Sequence, residues 1–173
     1  MPDAPLPTDP AFWEDTDAAR AEYTCPPLTD AALARVEAEL GVTLPADYVA
    51  MARHHNGGVP VRACHRAGPT SWADDHVALT GLFGIGDERP SSLLGETGHA
   101  FWVDVWGYPE IGVYFADCPS AGHDLIALDY RACGPEGEPS VVHVDQDADF
   151  AITPLAPTFG AFVRGLQPDG AFD

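Results

Sequence analysis

At 173 residues and 46% apolar content, the chain fits one globular domain able to bury an ordinary core. Its 27 acidic residues face only 8 basic ones, all arginine, for a formal charge of −19. That balance excludes nucleic acid and anionic lipid as partners, because both need basic clusters. No apolar run reaches the roughly 20 residues of a membrane span, and the acidic, proline-broken start MPDAPLPTDPAFWEDTD lacks the basic and apolar regions of a signal peptide, so a cytoplasmic chain is expected.

Residues 1–27 read as an N-terminal arm, pinned to the core by Phe12 and Trp13 and closed by Pro26-Pro27. The stretch 28–58, LTDAALARVEAELGVTLPADYVAMARHHNGG, reads as two short amphipathic helices. Thr29 is an N-cap, since its hydroxyl can take up an orphan amide. Leu33, Val36 and Leu40 then form one apolar stripe, joined by Glu37. Gly41 stands where a left-handed residue ends a helix. Pro45 suits the first turn of the second helix. Tyr48, Met51 and Ala52 give that helix its buried face. Asn56, the single asparagine of the chain, and Gly57 tolerate the left-handed backbone that closes it.

Beyond Gly58 the pattern turns to strands: 59–63, the apolar run 77–85, then 101–106, 112–116, 125–130 and 141–144. Residues 91–98 are a short helix or loop between prolines and glycines. Residues 156–166 form a final amphipathic helix with Phe159, Phe162 and Val163 on one stripe. Connections between the strands are too short for βαβ crossovers. The fold class expected is α+β, a single domain with a mainly antiparallel sheet backed by the N-terminal helix pair and the C-terminal helix. Its bounds are 28–167, with 168–173 as a tail.

The double-helix stretch resembles the signature of the SMI1/KNR4 (SUKH) family, carried by Leu40, Gly41, Leu44, Pro45, Tyr48, Asn56, Gly57 and Gly58. Gly81-Leu82-Phe83-Gly84 is similar to the family's glycine-flanked strand. Gly122, His123, Asp124, Leu128, Asp129, Tyr130, Val141, Val142, Phe159 and Phe162 occupy places of its C-terminal half. The resemblance runs from about Leu28 to Leu166 and implies a sheet backed by helices whose work is binding proteins. Many members are immunity proteins that neutralise bacterial toxins, and some eukaryotic members are regulatory adaptors. The chain lacks the GQV-like segment and long tails of the yeast-type members, which points to the bacterial immunity type.

Motifs for chemistry are sparse. Asp145, Asp147 and Asp149 begin like a calcium loop, but Phe150 replaces the required glycine and Ala156 the bidentate glutamate, so a solvated acidic turn is expected. No nucleophile elbow or phosphate loop is present. Cys25, Cys64, Cys118 and Cys133 show no paired spacing and read as buried thiols. His123, Asp124, Asp129 and His143 would form a nitrogen and oxygen site for a divalent ion if their strands were neighbours; a hydrogen-bonded loop anchor is the alternative. Trp106-Gly107-Tyr108-Pro109 reads as an aromatic turn, since exposed Trp and Tyr make good interface anchors. With Asp104, Glu110 and Asp117 as an acidic rim and His123 and Asp124 nearby, it is the expected partner-binding face.

The expected function is non-enzymatic protein binding without a metal or other cofactor, with a basic toxin domain, such as a nuclease, as partner. The alternatives are a regulatory module for an endogenous protein, or a metal or small-ligand binder built on the His/Asp cluster.

Overall fold

The computed structural model of the chain describes residues 4–172. Three helices come first: α1 (Asp17–Tyr23), α2 (Asp30–Leu40) and α3 (Ala46–His54). Thr29 caps α2, its hydroxyl accepting the Ala32 amide at 3.1 Å, and Gly41 ends it at φ +73°. Glu37 ties the corner together by accepting the Leu44 amide at 2.7 Å. Pro45 precedes α3, which buries Tyr48, Met51 and Ala52.

A two-stranded antiparallel ribbon follows, β1 (Cys64–Arg66) with β2 (His76–Ala78). The main sheet is β3 (Gly81–Leu82), β4 (Gly112–Asp117), β5 (Asp124–Asp129), β6 (Ser140–Asp145) and β7 (Ala151–Ala156), antiparallel throughout and in chain order. Residues 124–128 of β5 and 141–145 of β6 are all buried. Side chains alternate between faces, so both faces of these central strands are covered. The last helix, α5 (Phe159–Arg164), packs with α3 through an aromatic stack: Tyr48 lies 4.7 Å from Phe159, and both rings meet Phe115 at 5.9 and 5.6 Å. Helix pair, sheet and final helix form the α+β arrangement expected from the sequence.

Four local readings are corrected. Residues 101–106 are not a strand; α4 (His99–Asp104) occupies this place. Trp106 lies in the turn just past α4 and packs 5.5 Å from Trp102, and the buried Trp102 donates its indole N–H to Thr97 O at 2.9 Å. The run 59–63 makes only isolated bridges around Pro60, and the strand begins at Cys64. The run 77–85 breaks into β2 and β3. Strand β7 went unforeseen because Pro154 argues against an inner strand; it lies at the sheet edge, where a missing amide is tolerated.

The arm joins the core. Trp13 and Tyr23 are buried, and Trp13 stacks on His55 at 4.7 Å. At the other end Gln167 pairs with Cys64, and Phe172 stacks on His76 at 4.6 Å. Among the described residues no helix is long and apolar enough to cross a membrane.

Candidate functional site

Strands β4 and β5 are joined by a tight turn over residues 118–123. Ser120 organises it: its hydroxyl accepts the amides of His123 and Asp124 at 3.1 and 3.0 Å. Ala121 and Gly122 take positive φ, +57° and +96°. A Cβ on Gly122 would stand 2.6 Å from the Trp102 ring, so glycine lets the turn sit on that indole.

Asp124 lies opposite Asp145, and Ile126 opposite His143. Alternation then puts the Asp124, His143 and Asp145 side chains on one face at the same end of the sheet. His143 Nε2 and Asp124 Oδ2 are 2.8 Å apart and buried. Asp145 Oδ2 accepts the Ser71 amide at 2.9 Å. Cys118 closes the group from the end of β4. Burial, with the Asp124 carboxylate beside it, pushes its thiol well up, so it stands as a neutral thiol.

Above this group lies a cleft of about 170 Å³, lined by Trp72, His76, Pro119, Ser120 and Asp124. Trp72 is 46% exposed on a loop with the exposed Asp74 and Asp75. Across the turn, Trp106 meets His123 edge-on at 5.5 Å, and His123 pairs with Asp147 at 2.8 Å. The Asp147 carboxylate holds the His123 imidazole above its ordinary value.

The expected face is partly assembled. Asp104 is exposed, Trp106 half-buried, and His123 and Asp124 sit at the turn between them and the cleft. Tyr108 belongs to the interior instead. It is 2% exposed, its hydroxyl donates to Gly122 O at 2.6 Å, and Gly107 at φ +78° turns the chain so that the ring meets Tyr114 and Phe150. Asp117 is an anchor, accepting from the Tyr23 hydroxyl at 2.9 Å and the Gly81 amide at 3.1 Å; burial pushes its carboxyl up to about 6. Glu110 lines a separate open cleft with His99, Tyr130 and Arg131, beside the start of β4.

The four-residue His/Asp cluster does not form. His143 and Asp124 meet, but Asp129 stands at the far end of β5, roughly 17 Å away along the strand. There it holds Arg131 at 2.8 Å, which keeps its carboxyl below the ordinary range. His123 turns out to Asp147. Asp145 is buried rather than solvated, while Asp147 and Asp149 are exposed. Trp72, His76 and Cys118 went unnamed as site residues. For Asp145 the sequence carries a signal: VVHVD places it two positions after His143 inside an apolar run, which marks one polar patch on a buried strand face.

The profile of the SMI1 / KNR4 family (SUKH-1) matches residues 27–165. The chain belongs to the SMI1/KNR4 family. No curated protein and no solved structure gives a match. The residues that carry the sequence resemblance form a structural hub. Asn56 donates to Pro26 O and Ile85 O at 3.0 and 3.1 Å and accepts the Ile85 amide at 2.8 Å. Gly57, at φ +90°, lies so close to Tyr23 O that a Cβ would stand 2.4 Å from it. Gly58 exchanges backbone bonds with Leu82, and the Tyr48 hydroxyl donates to Phe83 O at 2.5 Å. These contacts fasten the helix pair to β3 and leave the β4–β5 turn open at the surface. The SUKH-1 family fits an immunity-type, protein-binding role.

Proposed function

We propose that this chain is a non-catalytic immunity protein that neutralises a basic bacterial toxin domain, a nuclease in particular, by covering its working surface. The observation that carries the reading is the face around the β4–β5 turn. Among the described residues, two of the three large exposed apolar ones, Trp72 and Val105, flank it, and the third, Val61, lies elsewhere. Exposed carboxylates of Asp74, Asp75, Asp104 and Asp147 stand with them. An aromatic anchor with an acidic rim is the composition of a protein interface facing a basic partner.

The cleft supports a macromolecular partner over a metabolite. Pockets for small ligands run from about 300 to 1,000 Å³; about 170 Å³ takes one inserted side chain. The thiols give little basis for nucleophilic catalysis: burial pushes Cys25 up to about 11, and burial with the Asp169 carboxylate pushes Cys64 up to about 12. An inhibitor of this kind needs only complementarity. A nuclease surface built for phosphate is basic, and a chain of net charge −19 is steered toward it.

The test is protection. Cells producing a toxin domain encoded beside this chain's gene should survive when the wild-type chain is co-produced, and die when it carries Trp72→Ala with Asp74→Asn and Asp75→Asn. Equal protection by both chains would remove this face from the interface, and no protection by either would contradict the immunity reading.

A further inference from the structure

We propose that Cys118, Asp124 and His143 form a binding site for a divalent transition metal, zinc by the chemistry of its donors. They come from three places: the residue just past β4, the first residue of β5 and the middle of β6. One donor atom from each lies within 4.8 Å of the others. Ligands of a tetrahedral zinc ion, at about 2.0–2.3 Å from the metal, stand roughly 3.3–3.8 Å apart, so the group would close by about an ångström on binding.

The second observation is what these side chains lack. His143 Nδ1, Asp124 Oδ1 and Asp145 Oδ1 are buried without a hydrogen-bond partner among the described residues. His143 is 0% exposed, and Asp124 and Cys118 are each 4% exposed. Buried polar atoms are ordinarily satisfied, since each orphan costs on the order of 1–3 kcal/mol. Three orphans in one pocket, all able to accept, call for a cation rather than for further packing. His143 Nε2 and Asp124 Oδ2, 2.8 Å apart, would exchange their mutual hydrogen bond for bonds to the ion.

The donor set selects the ion. A thiolate is too soft a ligand for magnesium or calcium, while one sulfur, one nitrogen and one oxygen suit zinc. The Cys118 thiol would give up its proton on binding. Two anionic ligands then balance the charge of the ion. Asp124 also lines the cleft, which provides an entry path, and Asp145 stands across the strand to orient a water in the fourth position. Bound metal would lock the 118–123 turn that carries the proposed binding face. The site differs from the cluster read off the sequence: Cys118 replaces His123 and Asp129.

Chelator-treated, full-length protein titrated with Co²⁺ and then Zn²⁺ tests the site. The expected result is one equivalent of Co²⁺ with a thiolate-to-cobalt charge-transfer band and tetrahedral d–d bands, both bleached by one equivalent of Zn²⁺. A chain with Cys25, Cys64 and Cys133 replaced by Ser should keep the band. Cys118→Ser, checked by near-ultraviolet circular dichroism for an intact fold, should lose it. The wild-type and triple-variant titrations decide the matter even if Cys118→Ser does not fold. Absence of the band from the wild-type chain, or its loss in the triple variant, would overturn the proposal, leaving an ordered water as the occupant of the pocket.

Discussion

Asn56 shows how much one side chain can carry. Its amide satisfies two carbonyls and one amide, at Pro26, 30 residues before it, and at Ile85, 29 residues after it. Asn56→Ala should lower stability by about 2–4 kcal/mol, since several buried groups lose their partner at once; urea denaturation reads this directly. Asp117 gives the chain a pH signature. Its folded-state carboxyl lies at about 6, above the ordinary 3.8, because burial outweighs the Tyr23 and Gly81 bonds that favour its charge. The folded state therefore binds the proton more tightly than the unfolded state between pH 4 and 6. From this group, stability is greatest below pH 4 and is lost as pH rises through 6. Asp117→Asn should flatten that slope in a series of denaturation curves between pH 4 and 7. An unchanged slope would show that other groups set it.

At the scale of elements, the sequence was most legible where local chemistry and packing agree. The Thr29 cap, the Gly41 stop and the Tyr48/Met51/Ala52 face all stand where the pattern puts them. Gly41 has open space around it, so Gly41→Ala costs only the left-handed backbone, about 1 kcal/mol. Gly57→Ala should cost several times more, because its Cβ would meet the backbone of both Tyr23 and Gly84. Thermal melts of the two variants should rank in that order. Legibility failed where short apolar runs fit both periods. FWVDVW alternates well enough for a strand, yet its first part forms α4, and the Trp102 indole packs against that of Trp106 in the turn just beyond the helix. Strand β7 was hidden by Pro154, an edge device that sequence alone cannot place. The binding face was half legible for a similar reason. Aromatic density pointed to the 101–108 region, but whether Tyr108 faces out or in depends on a carbonyl at Gly122, 14 residues away. Trp72 drew no notice because its neighbours form no periodic pattern; its exposure follows from the loop over β6 that Ser71 pins to Asp145.

For the whole molecule, charge and architecture point the same way. Asn56, Gly57, Gly58 and Tyr48 join the helix pair to the sheet at and just after β3, which pairs with the end of β4 that leads into the β4–β5 turn. Five arginines, Arg20, Arg35, Arg53, Arg131 and Arg164, lie against carboxylates at distances up to 3.9 Å, and these pairs are mostly exposed and worth little for stability. The acidic excess instead acts at long range. Replacing Asp74 and Asp75 with Asn should slow association with a basic partner and reduce its salt dependence while leaving dissociation nearly unchanged; Trp72→Ala should do the reverse, speeding dissociation about tenfold or more. Stopped-flow or surface-based kinetics at several salt concentrations separate the two. The most direct measurement is a paired affinity capture, with the wild-type chain and the Trp72→Ala, Asp74→Asn, Asp75→Asn chain as baits and partners quantified by mass spectrometry. One basic, toxin-like protein held near one-to-one by the wild type and lost by the variant is the predicted result. A stoichiometric partner held equally by both baits, or none held by either, would contradict a toxin-binding face at the β4–β5 turn.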